Sequence, residues 1–83
     1  MTKIQIKKLS TFVSIPKYET QGSSGMDIAA CTENNIIINP GEKAIVPTGF
    51  SIAIPRGYEV QIRPRSGLAA KKNITVLNTP GTI

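Results

Sequence analysis

The sequence predicts an all-β fold, a sandwich or barrel of short strands. Three observations carry that expectation. Apolar residues alternate with polar ones at a period of two through several stretches, as on half-buried strands. Pro/Gly turns punctuate those stretches at short intervals. A single segment, 66–72, has helical character.

Taken in order, Ile4 and Ile6 alternate with Lys3, Gln5 and Lys7 and predict a first strand. Residues 16–25, "PKYETQGSSG", read as the least structured stretch, a loop feeding the next strand. "IIIN" (36–39) is a short β-branched run that favours a strand. In "PGE" (40–42) proline presets its own φ and glycine is free to take a positive one, so a turn follows. "KAIVPTGFSIAI" (43–54) predicts strand, a break at 47–49, and strand again, with Phe50, Ile52 and Ile54 on one face. After the turn "PRG" (55–57), "YEVQIR" (58–63) sets Tyr58, Val60 and Ile62 against Glu59, Gln61 and Arg63. "SGLAAKK" (66–72) predicts about two helical turns, with Ser66 as N-cap and Asn73 as the C-terminal stop. "ITVL" (74–77) predicts a last strand and "NTPGTI" the start of a turn.

Eighty-three residues bound the chain at one domain. So small a domain buries only about 60–65% of its unfolded surface, which leaves its stability marginal and favours help from partner subunits. The net charge of +5 is uneven: residues 1–42 are balanced, and the whole excess falls in 43–83, where Glu59 is the only acid. The second half therefore suits an anionic partner, a solvated basic face being the alternative. Stacking residues are few, Phe12, Tyr18, Phe50 and Tyr58 with no tryptophan, which argues against single-stranded nucleic acid. Cys31 is the sole cysteine and histidine is absent, so an internal disulfide, the usual zinc sites and histidine-based nucleophilic catalysis are excluded. The charged, alternating N-terminus is no signal peptide, and no apolar run reaches membrane-spanning length. The expectation is a cytoplasmic protein with no membrane partner.

Two stretches have the chemistry of a site. In "RPRSGLA" (63–69) Gly67 leaves room for an oxyanion, Ser66 offers a hydroxyl, Arg65 a planar fork of donors, and Pro64 stiffens the approach. Phosphate binding and an ordinary capped helix flanked by solvated arginines both fit those residues. In "GSSGMDIAA" (22–30) Asp27 follows a flexible loop, where a carboxylate holds a metal ion directly or through water, caps a turn, or pairs with arginine. No close pair of carboxylates is visible.

In order and in register, "GSSGMDIAA", "RPRSGLA" and "VLNTPGTI" (76–83) resemble the first, second and opening third motifs of the trimeric deoxyuridine triphosphatases. "KIQIKKL" (3–9) and "PTGFSIAIPRGYEVQIRPRSG" (47–67) fit the same pattern, so the resemblance covers the whole chain as one dUTPase-like domain, 1–83. The related dCTP deaminases share the fold, but the Pro-Arg-Ser-Gly form resembles the triphosphatase branch. The resemblance implies a β jelly-roll or β-clip sandwich with one short helix after Pro-Arg-Ser-Gly, a homotrimer with shared active sites, and Mg²⁺. It also implies hydrolysis of dUTP to dUMP and pyrophosphate by water attack on the α-phosphate. That activity keeps uracil out of DNA and supplies dUMP for dTTP synthesis. By motif, Asp27 would hold the Mg²⁺–triphosphate through water. Arg65, Ser66 and Gly67 would grip the phosphates, Ser66 near the α–β bridge. Asn78 would hydrogen-bond uracil, and Thr82 and Ile83 would lie on the hairpin that selects base and sugar.

In that family an aspartate that activates the water follows Gly-Thr-Ile, whereas this sequence reads to Ile83. No catalytic base is therefore assigned within 1–83, and the chain by itself is expected to be an inactive, incomplete domain whose missing strands leave open sheet edges. The alternative expectation is a non-catalytic remnant that binds nucleotide or only self-associates.

Overall fold

The computed structural model describes residues 2–83. It is strand-based with one short helix: β1 (Gln5–Lys8), β2 (Phe50–Ala53), β3 (Gln61–Ile62), α1 (Ser66–Lys72) and β4 (Gly81–Thr82). The chain divides into two compact units, Met1–Ala53 and Ile54–Ile83.

In the first unit β1 and β2 pair antiparallel, with Gln5 opposite Ala53 and Lys8 opposite Phe50. The alternation read from the sequence is visible on β2, where Phe50 and Ile52 are half-buried and Ser51 and Ala53 exposed. On β1 every residue is exposed, Ile6 included. Just beyond the ladder the Leu9 N–H donates to the Gly49 carbonyl (2.8 Å), and the Cys31 N–H donates to the Pro47 carbonyl (2.9 Å). The break at 47–49 is thus held from two directions. Thr48 Oγ1 donates to the Phe50 carbonyl at 3.2 Å, and Gly49 turns the chain with φ of 79°.

The turn chemistry expected from the sequence is present. The Glu42 N–H donates to the Asn39 carbonyl (3.0 Å) around Pro40 and Gly41, the latter at φ 79°. The left-handed conformation at the third position of such a turn is why glycine stands there. Residues 16–25 also contain an ordered turn, in which the Ser23 N–H donates to the Thr20 carbonyl (3.2 Å) and the two hydroxyls lie 2.5 Å apart.

The second unit is a short ladder and a helix. β3 and β4 pair antiparallel, Gln61 opposite Thr82 and Ile62 opposite Gly81. Val60 and Ile83 extend the ladder by exchanging both backbone hydrogen bonds, at 3.0 and 2.9 Å. Half-buried Val60 and Ile62 alternate with exposed Glu59, Gln61 and Arg63, while Tyr58 is exposed at 60%.

Four expectations are corrected, three strands and one helix cap. Residues 36–39, 43–46 and 74–77 do not form strands among the described residues. A strand is defined by hydrogen bonds to a neighbour, and β-branched composition alone supplies none. The helix N-cap is Arg65, in extended conformation (φ −73°, ψ 129°), and Ser66 is the first helical residue. Asn73 ends the helix in the left-handed conformation at φ 56°, as its side chain predicts. No described residue is fully buried, and Ile37, Ile45 and Leu77 are 84%, 98% and 78% exposed.

Candidate functional site

The second unit contains six of the seven site residues assigned from the motifs, Arg65, Ser66, Gly67, Asn78, Thr82 and Ile83. β3 runs directly into Arg63, whose Nη2 donates to Gln61 Oε1 at 2.8 Å. Pro64 follows, and then the extended Arg65 aims the chain into α1. The Ala69 N–H donates to the Arg65 carbonyl (3.0 Å), which opens the helical pattern. Ahead of it the N–H groups of Ser66, Gly67 and Leu68 have no intrahelical acceptor, as in any first turn. The N-cap side chain makes no capping bond, so the helix does not consume those donors. Gly67 has nothing within 4 Å of where a Cβ would stand, so its backbone is open to a close approach.

Charge reinforces this surface. Residues 54–83 carry Arg56, Arg63, Arg65, Lys71 and Lys72 against Glu59 alone. A shallow depression of about 350 Å³ is lined by Arg65, Gly67, Leu68, Lys71 and Lys72. Lys71 and Lys72 were not singled out by the sequence motifs. Their place in the last helical turn also suits the negative end of the helix dipole.

The ladder delivers the remaining residues. Thr82 lies opposite Gln61 and Ile83 opposite Val60, a few residues before Arg65. Asn78 stands in the turn that leads into β4, ahead of a cis Thr79–Pro80 bond. Its carboxamide lies over Gly81, a proximity that spacing alone does not reveal.

Asp27 belongs to the first unit, where it is half-buried and follows the loop at 22–25. Among the described residues there is no group of three His, Cys, Asp or Glu side chains able to cage a metal ion. What the donor set fits is a single carboxylate contact to an ion held mostly by other ligands.

A fork of guanidinium donors, a hydroxyl and an open glycine backbone on one run suit an anionic, phosphate-like ligand, and the strand leading into that run is laddered to β4, which follows the turn carrying Asn78. The dUTPase family model matches residues 11–83, and the chain belongs to that family. Among individual relatives, it is 54% identical over 84 residues to the deoxyuridine 5'-triphosphate nucleotidohydrolase of Fusobacterium nucleatum, covering all of this chain and 58% of that protein. It is 58% identical over 71 residues to the enzyme of that name from Desulfotalea psychrophila (86% of this chain, 47% of the relative). Against that of Wolbachia pipientis subsp. Culex pipiens it is 57% identical over 83 residues (98% and 54%). The chain thus spans about half the length of the curated relatives it matches.

Proposed function

We propose that this chain supplies phosphate- and base-binding residues of a dUTP diphosphatase, which hydrolyses dUTP to dUMP and pyrophosphate. The observation that carries the reading is the β3–β4 ladder, which links the Arg65-Ser66-Gly67 run to the segment 78–83 within a chain more than half identical to named dUTP nucleotidohydrolases.

In this reading Arg65 pairs with the triphosphate through parallel charge-assisted hydrogen bonds. Ser66 donates its hydroxyl near the α–β bridging oxygen, where negative charge grows as that bond breaks. The N–H of Gly67 reaches the phosphate because no side chain obstructs it. Asn78 hydrogen-bonds the uracil edge, and the backbone of Thr82 and Ile83 borders the base and sugar. Water oxygen bonds to the α-phosphorus, the bond from that phosphorus to the α–β bridging oxygen breaks, and pyrophosphate leaves with the electron pair. Acceptance of the water proton is assigned to none of these residues.

Mg²⁺, when bound, neutralises the triphosphate charge and fixes its conformation. Asp27 would hold it through a water molecule, with the triphosphate as the ion's main anionic partner. The fold inferred for the complete domain is a jelly roll. The complete protein is inferred to be a cytoplasmic homotrimer with shared sites, and the exposed apolar side chains in both units support burial by partners. Light scattering of the complete protein checks the assembly; a monomer at micromolar concentration rejects it.

The test is hydrolysis of dUTP, dCTP and dTTP by the protein made from its complete gene, run in ¹⁸O-water. Selective release of pyrophosphate from dUTP with label in dUMP is the expected result. Label in pyrophosphate refutes attack at the α-phosphorus, and no hydrolysis of dUTP refutes the function.

A further inference from the structure

We infer that Gly81 is a positioning residue for the Asn78 carboxamide and so helps to set base selectivity; this rests on the base-contacting role proposed for Asn78. A Cβ on Gly81 would lie 3.7 Å from Asn78 Nδ2, 3.9 Å from Asn78 Oδ1 and 3.6 Å from the Cβ of Ile62 on the paired strand. The space above the Gly81 α-carbon is therefore bounded on one side by Ile62 and on another by both polar atoms of the carboxamide.

Backbone conformation does not explain this glycine. The glycines at positive φ are Gly22, Gly41, Gly49 and Gly57, and Gly81 is not one of them. It sits within β4, where a β-branched residue would ordinarily strengthen the strand and glycine weakens it. Glycine inside a strand often marks a close approach of another group. Here the groups beside it are the Cβ of Ile62 and the Asn78 side chain, the latter in the turn at 77–80. A methyl would make only ordinary contact with either. Two γ-carbons would reach past that distance into the volume of Ile62 or of the carboxamide. Ile62 is fixed by its ladder with Gly81, whereas Asn78 is exposed and free to swing away. A larger residue at 81 thus displaces the amide and leaves the ladder in place.

The test compares four complete proteins, wild type, Gly81→Val, Asn78→Ala and the double variant, by kcat and KM for dUTP and by the dUTP-to-dCTP ratio of kcat/KM. Gly81→Val is expected to raise KM for dUTP and to lower the ratio, each by about 10–100-fold, with kcat little changed. It is expected to add nothing on the Asn78→Ala background, because both changes remove one and the same contact. Unchanged selectivity, or full additivity with Asn78→Ala, overturns the inference. Should Gly81→Val fail to fold, Gly81→Ser, with a single γ atom, takes its place with the same criteria. A wild type without dUTP hydrolysis fells the functional reading and this inference together. An active wild type whose selectivity ignores residue 81 fells only the inference.

Discussion

The Cys31 side chain occupies the space into which any side chain at Gly49 would project. A Cβ on Gly49 would lie 2.6 Å from Cys31 Sγ, 2.9 Å from Cys31 Cβ and 3.0 Å from Val13 Cγ2, and Gly49 has φ of 79° besides. Both backbones are committed, Gly49 through its carbonyl to Leu9 and Cys31 through its N–H to Pro47. Gly49→Ala is expected to cost about 2–4 kcal/mol, from overpacking together with the left-handed conformation. Denaturant unfolding of the complete protein measures it. Adding Cys31→Ala relieves only the sulfur contact, so the double variant should recover part of the loss; a neutral Gly49→Ala contradicts the packing described.

Ser66 separates function from stability. Its hydroxyl caps nothing, since Arg65 holds the N-cap position, and it makes no hydrogen bond among the described residues. Ser66→Ala should therefore change stability by less than about 0.5 kcal/mol. Loss of a donor to the developing charge should lower kcat by about 10²-fold. Thermal unfolding and steady-state kinetics on the same sample check both; undiminished kcat removes Ser66 from the phosphate site.

Arg65→Lys keeps the charge and loses the fork. A planar guanidinium matches two phosphate oxygens at once, which an ammonium cannot do. The expected loss in kcat/KM for dUTP is about 10–100-fold. Lysine performing as well as arginine would mean that position 65 supplies charge alone.

For Asp27, neutralisation at constant shape is the informative change. Asp27→Asn should raise the Mg²⁺ concentration for half-maximal activity by about 10-fold, and a chelator should abolish wild-type hydrolysis. An unaltered Mg²⁺ dependence would leave Asp27 as a structural carboxylate.

Residues 1–83 produced alone should self-associate. None of the described side chains is fully buried, and aliphatic residues such as Ile45 and Ile37 stand almost entirely in solvent. Exposed apolar surface on that scale drives association. Sedimentation across a concentration series is the check, and a monomer with a sharp, reversible melt would contradict it.

Local signals were the legible ones. Asn39-Pro40-Gly41-Glu42 closes its turn because proline and glycine preset the two central residues whatever surrounds them. Asn73 stops α1 for a similarly local reason, and the alternation at 50–53 and 59–63 survives in the exposure of those residues. The Arg-Ser-Gly run stood out from residue chemistry, and Asn78 only from the motif resemblance.

What sequence determined here is therefore the turns, the helix and its end, the alternation of faces, the basic second half and the family. Tertiary structure alone decided which apolar runs became strands, since Gln61–Ile62 found a partner in Gly81–Thr82 while 36–39 found none among the described residues. It alone set Ser66 inside the helix and not at its cap, placed Cys31 against Gly49, and laid the Asn78 amide over Gly81. Turns and caps depend on the torsions of a few adjacent residues, which the residues themselves bias. Ladders and close packing join residues far apart in the chain, and their pairing is chosen by competition among all possible partners.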